Sequence, residues 1–199
     1  MTSHHIPIVV ALSGGGRSLA NLLAKEQHYC FKVVGVITSH QQANGVKIAQ
    51  QAQLPIFMGT FQRHKKKHQQ HTSWQDLQTF LNDLSCALVV LAGFLRPYPM
   101  EVANTIQTIN IHPSLLPKYG GKGLYGDKVH EMVLKGKERV SGATCHEVSE
   151  EYDKGKVISQ VVVSIHKNDT VKSLAARVFA YEKQLLPITI DHILSQKNP

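Results

Sequence analysis

Acid is nearly absent from the first part of this sequence. Only Glu26 precedes Asp76, against eight basic residues: Arg17, Lys25, Lys32, Lys47, Arg63, Lys65, Lys66 and Lys67. That stretch carries +7, while the remaining 14 basic and 13 acidic residues leave +1. An anionic partner is expected at the N-terminal half, with a nucleic acid and a small polyanion both open. Cysteine is scarce too. Cys30, Cys86 and Cys145 are too few and too scattered for a disulfide frame or a zinc knuckle. No apolar run reaches the ~18 residues of a membrane-spanning helix. Met1–Leu12 runs from His4-His5 straight into strand-like residues, without the basic head and cleavage site of an export signal. A reduced, cytoplasmic protein without membrane contact is the expectation.

Aromatics make up 7% of the chain, and none interleaves the basic tract Arg63–His71, so a base-stacking surface is not expected there. That tract reads as a polar surface loop. Twelve histidines are many, yet none forms HExxH or joins a CxxC pair, so no metal centre is expected.

What is present is an alternation of short apolar runs and helical stretches. Strands are predicted at Ile6–Leu12, Phe31–Thr38, Pro55–Met58 and Cys86–Ala92, and helices at Ser18–Gln27, Asn44–Gln53 and Trp74–Leu84. The strand runs are continuous and rich in β-branched residues, as strands covered on both faces are. The pattern predicts an α/β fold with a doubly wound, mostly parallel sheet. Toward the C-terminus, Thr108–His112 is a further strand and Asp127–Lys135 a short helix. Ser141–Val148 and Val157–Ile165 read as an antiparallel pair around a turn-rich segment. Thr170 is a predicted N-cap for a last helix to about Leu186, where Pro187 kinks or ends it. No linker divides residues 1–199, so one domain is expected, with halves at 1–105 and 106–199.

Two segments carry chemistry. Ser13-Gly14-Gly15-Gly16-Arg17-Ser18 lies between the first strand and helix, where backbone N–H groups and a positive helix end meet phosphates. The dinucleotide fingerprint fails, because Leu19 stands where a third glycine is needed and no acid ends the second strand. A phosphomonoester fits better; a plain tight turn is the alternative. In Thr108–Lys118, Asn110 and His112 are two apart and share a strand face. Pro113 places them at the strand's carboxyl end, the usual ligand edge. An amide donor beside an imidazole suits a developing oxyanion together with proton transfer.

The run Asn110-Ile-His-Pro-Ser-Leu-Leu-Pro-Lys118 resembles the signature of the folate-dependent formyltransferases. Leu12–Leu19 looks like that family's ribonucleotide-phosphate loop and Val90–Arg96 like its folate-pocket strand end. Ser141–His146, Glu151–Gly155 and Ile158–Gln160 are similar to its catalytic-aspartate segment. The resemblance spans nearly the whole chain, and four segments in order are specific. The Pro after His112 points to the branch that formylates glycinamide ribonucleotide in purine biosynthesis.

The resemblance implies formyl transfer from 10-formyltetrahydrofolate to the ribonucleotide's amine, without a metal, by a monomer or homodimer. Asn110 and His112 would stabilise the tetrahedral intermediate, and Asp153 would orient His112 or raise its pKa. Read alone, Asp153 is equally a turn residue in YDKG. Gly14, Gly15, Gly16, Arg17, Ser18 and Glu182 would bind the ribonucleotide. Leu91, Phe94, Leu95, Arg96, Pro97 and Tyr98, with Asn110, would hold the folate; buried core is the other reading of Leu91 and Phe94. His146 could support the site, but alternation leaves its face undecided.

The sequence departs from the family pattern at Tyr119–Gly126, a glycine-rich loop variant, and at Phe179, where many members carry a polar contact. Three rival functions are a formyltransferase on methionyl-tRNA or a nucleotide sugar, a formyltetrahydrofolate hydrolase, and a non-catalytic nucleotide- or RNA-binding module. The first two usually carry a further domain, which is not expected in 199 residues.

Overall fold

The computed structural model describes residues 5–61 and 71–196. The basic tract Arg63–His71 lies outside them except for His71. The chain divides into two compact units, residues 1–108 and 109–199. The first holds β1 (Ile6–Leu12), α1 (Arg17–Lys25), β2 (Phe31–Thr38), α2 (Asn44–Gln51), β3 (Ile56–Met58), α3 (His71–Asp83), β4 (Leu88–Leu91) and α4 (Met100–Ala103). Its strands run parallel in the order β3-β2-β1-β4. Ile8–Ala11 and Leu88–Val90 are fully buried, which is why these strands read as unbroken apolar runs. The order reverses between β1 and β4, so their carboxyl ends form a topological switch point. The loops after both strands are tied there: Ser13 N–H donates to the Gly93 carbonyl (3.0 Å), and Leu95 N–H to Ser13 Oγ (3.0 Å).

β5 (Thr108–His112) leads into the second unit, with α5 (Asp127–Lys135), β6 (Val140–Glu147), β7 (Val157–Ser164) and α6 (Val171–Ser195). β5-β6-β7 is antiparallel throughout, as expected for the C-terminal part of this α/β fold. Leu174, Val178, Leu186, Ile190 and Leu194 of α6 are buried, and α6 packs on β6, β7 and α5.

Of the two outcomes expected at Pro187, an end of the helix does not occur, since α6 continues to Ser195. Proline there removes one intrahelical hydrogen bond, a cost of ~3 kcal/mol. Burial of Leu186, Pro187, Ile190, Ile193 and Leu194 offsets it, at about 1.5–3 kcal/mol per large aliphatic side chain. The N-terminus of α6 is as predicted. Thr170 Oγ1 accepts from Ser173 N–H, and Ser173 Oγ accepts from Thr170 N–H.

Candidate active site

The second unit assembles its polar groups on one face of β5, β6 and β7. Asn110 and His112 share a face of β5, and the antiparallel register sets Asn110 opposite His146 and His112 opposite Thr144. β7 extends the second row by setting Gln160 opposite Thr144. The turn between β6 and β7 brings Asp153 to the same place.

Hydrogen bonding fixes both imidazoles. His146 Nδ1 lies 2.8 Å from the Glu147 carbonyl, which can only accept, so Nδ1 carries the proton. Its Nε2 then accepts from Asn110 Nδ2 at 3.0 Å. By the same reasoning His112 Nε2 donates to the Tyr119 carbonyl at 2.9 Å, leaving Nδ1 to face Asp153 Oδ2 at 3.5 Å. Asp153 Oδ2 accepts the Gly121 N–H at 2.8 Å, and Oδ1 accepts from Asn110 Nδ2 at 3.4 Å. Asp153 is a turn residue, with φ of 58°, and its carboxylate lies beside the histidine.

Burial and charge compete at this pair. Burial pulls the His112 pKa down, and the Asp153 charge and Tyr119 carbonyl only partly restore it, so it stays below 6.5. The expected rise of the His112 pKa by Asp153 therefore operates but loses to desolvation. Burial pushes Asp153 up, but His146, the His112 charge and the Gly121 amide outweigh it and hold the carboxyl below its ordinary value. Near neutral pH the ring is uncharged and the carboxylate ionised. A proton reaching Nδ1 would be shared with Asp153, so the pair is a proton acceptor.

The glycine loop stands in the first unit. Gly16 caps α1 at φ 70°, and a Cβ there would come 2.5 Å from Gly45 Cα. Gly45 N–H donates to the Gly14 carbonyl (3.0 Å) and Asn44 Nδ2 to that of Gly15 (3.2 Å). These bonds hold the loop against the start of α2. Arg17 is exposed as the first helical residue, Ser18 half-buried, and the first turn of α1 carries no acid. At the end of β2, Ser39 Oγ lies 2.9 Å from Ser13 Oγ, where a dinucleotide-binding fold would place its carboxylate.

The Leu91–Tyr98 segment divides by exposure. Leu95 and Arg96 are exposed and Pro97 half-buried, whereas Leu91, Phe94 and Tyr98 are buried. Phe94 meets Phe61 edge-on at 4.9 Å and Tyr98 at 6.2 Å, so these two rings are core members. Glu182 is half-buried on α6, and its charge adds to the burial that pushes the Cys145 thiol up to about 11. Phe179 is half-buried with Lys183 Nζ 5.8 Å from its ring centre. Thus Asn110, His112 and Asp153 come together, and His146 joins them. The Tyr119 carbonyl and Gly121 amide were not foreseen, because backbone groups leave no mark in a residue pattern.

Among the described residues, no group of three His, Cys, Asp or Glu side chains is placed to hold a metal. None of their helices is long and apolar enough to cross a membrane.

Comparison with known proteins shows the chain's family. Residues 6–190 match the formyl transferase family model. The chain is 34% identical over 194 residues to a chloroplastic phosphoribosylglycinamide formyltransferase of Arabidopsis thaliana, covering 96% of this chain and 66% of that protein. It is 31% identical over 192 residues to the phosphoribosylglycinamide formyltransferase of Haemophilus influenzae, covering 92% and 84%. The crystal structure of the Anaplasma phagocytophilum phosphoribosylglycinamide formyltransferase superposes with a TM-score of 0.80 at 31% identity, covering 97% of this chain and 89% of that one. The chain spans 61–66% of the length of the Arabidopsis thaliana and Vigna unguiculata relatives. With its signature strand end, its fold and nearly all its length accounted for in these matches, the chain belongs to the formyl transferase family.

Proposed function

We propose that this protein is a phosphoribosylglycinamide formyltransferase, moving the formyl group of 10-formyltetrahydrofolate to the amine of glycinamide ribonucleotide in purine biosynthesis. The supporting observation is the network of Asn110, His112 and Asp153 in a chain of this family. The amine nitrogen forms a bond to the formyl carbon, the bond to folate N10 breaks, and one proton passes from amine to N10. Asn110 and His112 stabilise the oxyanion of the tetrahedral intermediate. His112 Nδ1, facing Asp153, receives the amine proton and returns it to the leaving nitrogen.

In this reading residues 1–105 form the phosphate-binding half, with Gly14, Gly15, Gly16, Arg17 and Ser18 on the phosphate. Residues 106–199 form the catalytic and folate half, where Glu182 takes the glycinamide end. Leu91, Leu95, Arg96 and Pro97, from the end of the first half, contact the folate together with Asn110 of the second, with Phe94 and Tyr98 shaping that wall from within the core. Reduced folate is a co-substrate. The reaction asks for no metal, because imidazole and amide groups cover both its charge and its proton. The working form is a cytoplasmic monomer or homodimer.

A bacterial strain unable to formylate glycinamide ribonucleotide tests the proposal. Carrying this chain, it is expected to grow without added purine, and failure despite soluble expression would contradict the assignment. Arg17→Ala should raise the KM for the ribonucleotide about tenfold with kcat nearly unchanged, as loss of a binding contact common to ground and transition states does. An unchanged KM would return the glycine loop to a plain turn.

The pH profile tests the histidine. With its pKa depressed by burial, His112 stays an available base below its ordinary 6.5. As pH falls through the depressed value, the ring takes a proton and kcat/KM is lost. The acid limb should therefore have its midpoint below 6.5. A midpoint above that value would mean that the Asp153 charge outweighs burial.

A further inference from the structure

The loop after β5 returns over the row His112, Thr144, Gln160 and places the Tyr119 carbonyl on His112 Nε2. The Thr144 hydroxyl holds the base of that loop, while Tyr119 is tied at its tip by its own hydroxyl, which donates to Glu138 Oε1 at 2.9 Å. The Thr144 hydroxyl donates to the Ser114 carbonyl (2.6 Å) and accepts the Leu116 N–H (3.1 Å) and a Gln160 Nε2 hydrogen (2.8 Å). Gln160 Nε2 also reaches the Leu116 carbonyl at 3.0 Å. Ser114 Oγ donates to the Lys118 carbonyl (2.8 Å), carrying the clamp to the residue before Tyr119. Thr144 and Ser114 are fully buried, so no water replaces these bonds if the hydroxyl is removed. A hydroxyl with one donor and two acceptor sites is saturated by these three bonds.

We propose that Thr144, assisted by Gln160, is a positioning residue that sets the tautomer and orientation of His112 by fixing the Tyr119 carbonyl. The proposal rests on the catalytic reading of His112. The Tyr119 carbonyl keeps the proton on Nε2, so the Nδ1 lone pair faces Asp153 as proton transfer requires. Without the clamp the loop drifts, the carbonyl leaves Nε2, and the ring samples the tautomer with its proton on Nδ1. The strand then still presents the imidazole, but with its basic nitrogen on the side of the Tyr119 loop rather than that of the carboxylate.

The test compares Thr144→Val, Thr144→Ser and Gln160→Met with the unaltered protein and His112→Ala. Steady-state kinetics is read beside the 15N resonances of the His112 ring. Thr144→Val, which keeps the shape and removes the hydroxyl, is expected to lower kcat about 10- to 100-fold, the scale of a small misplacement at a reacting centre. Its KM for the ribonucleotide should stay within about twofold, and its ring signal should move from Nε2–H toward mixed tautomers. Thr144→Ser should restore the Nε2–H signal and kcat to within about threefold, because it keeps the hydrogen bonds. Should Thr144→Val not fold, Gln160→Met decides. It removes two bonds from a more exposed position and should cost about 3- to 10-fold in kcat with a partial ring shift. Wild-type kcat and an unaltered Nε2–H signal in the folded variants, with His112→Ala impaired, would overturn the positioning role. Full activity of His112→Ala would instead overturn the catalytic reading on which it rests.

Discussion

His112→Ala and Asp153→Asn are each expected to lower kcat by about 10²–10⁴-fold, the usual worth of a placed acid or base, while ribonucleotide binding changes by less than about threefold. The two substitutions remove different things. His112→Ala takes away the ring that hydrogen-bonds Tyr119 and faces Asp153. Asp153→Asn keeps the shape and an oxygen for the Gly121 N–H. With its oxygen kept on the Gly121 N–H at the Oδ2 position, the amide takes away the negative charge beside His112 Nδ1 that would hold a proton received there. A large loss in Asp153→Asn therefore isolates proton handling from packing. Steady-state kinetics with calorimetric titration of the ribonucleotide separates the two effects, and near-normal turnover in both variants would remove the mechanism.

Gly155→Ala is expected to have the largest effect on stability. A Cβ at Gly155 would overlap the backbone carbonyl oxygen of Glu147, and backbone cannot rotate out of the way as a side chain can. Glu147 N–H is bonded to the Lys156 carbonyl at 2.9 Å, so relief would break the β6–β7 ladder beside the turn that carries Asp153. Overpacking of this kind costs about 1–3 kcal/mol, and more when backbone must move. For a protein of this size that is a fall of about 2–12 °C in Tm. Because Asp153 moves with the turn, kcat should fall with Tm. A variant with the original Tm and kcat would show that the turn accommodates a methyl group, and that the close approach of β6 to Gly155 constrains nothing.

Much of this was legible because its causes are local. β1, β2, β5 and α5 begin and end where the residue pattern puts them, since unbroken β-branched runs and a clean helical period leave few alternatives. Asn110 and His112 share a face by strand geometry alone. His146 was undecided for a physical reason: the β6–β7 register shifts between Cys145 and His146, and a bulge of that kind defeats simple alternation. The four residues of α4 are too few to show a period. Pro187 misled because burial of its neighbours, a tertiary effect, overrode a local rule. Phe94 reads as pocket wall or core from sequence, and its ring contacts with Phe61 and Tyr98 put it in the core together with Tyr98, which the sequence places only in the pocket wall. The Tyr119 carbonyl and the Gly121 amide, which hold the histidine and the aspartate, belong to the backbone and to a loop where this sequence departs from its family's usual pattern.

The most direct measurement is a spectroscopic assay of 10-formyltetrahydrofolate consumption, with and without glycinamide ribonucleotide. Rapid loss of the formyl donor that requires the ribonucleotide, with one formyl group transferred per donor consumed, is the expected result. Donor breakdown at the same rate without the ribonucleotide would make the Asn110–His112–Asp153 site that of a hydrolase. No turnover in either arm would contradict formyl transfer to this acceptor.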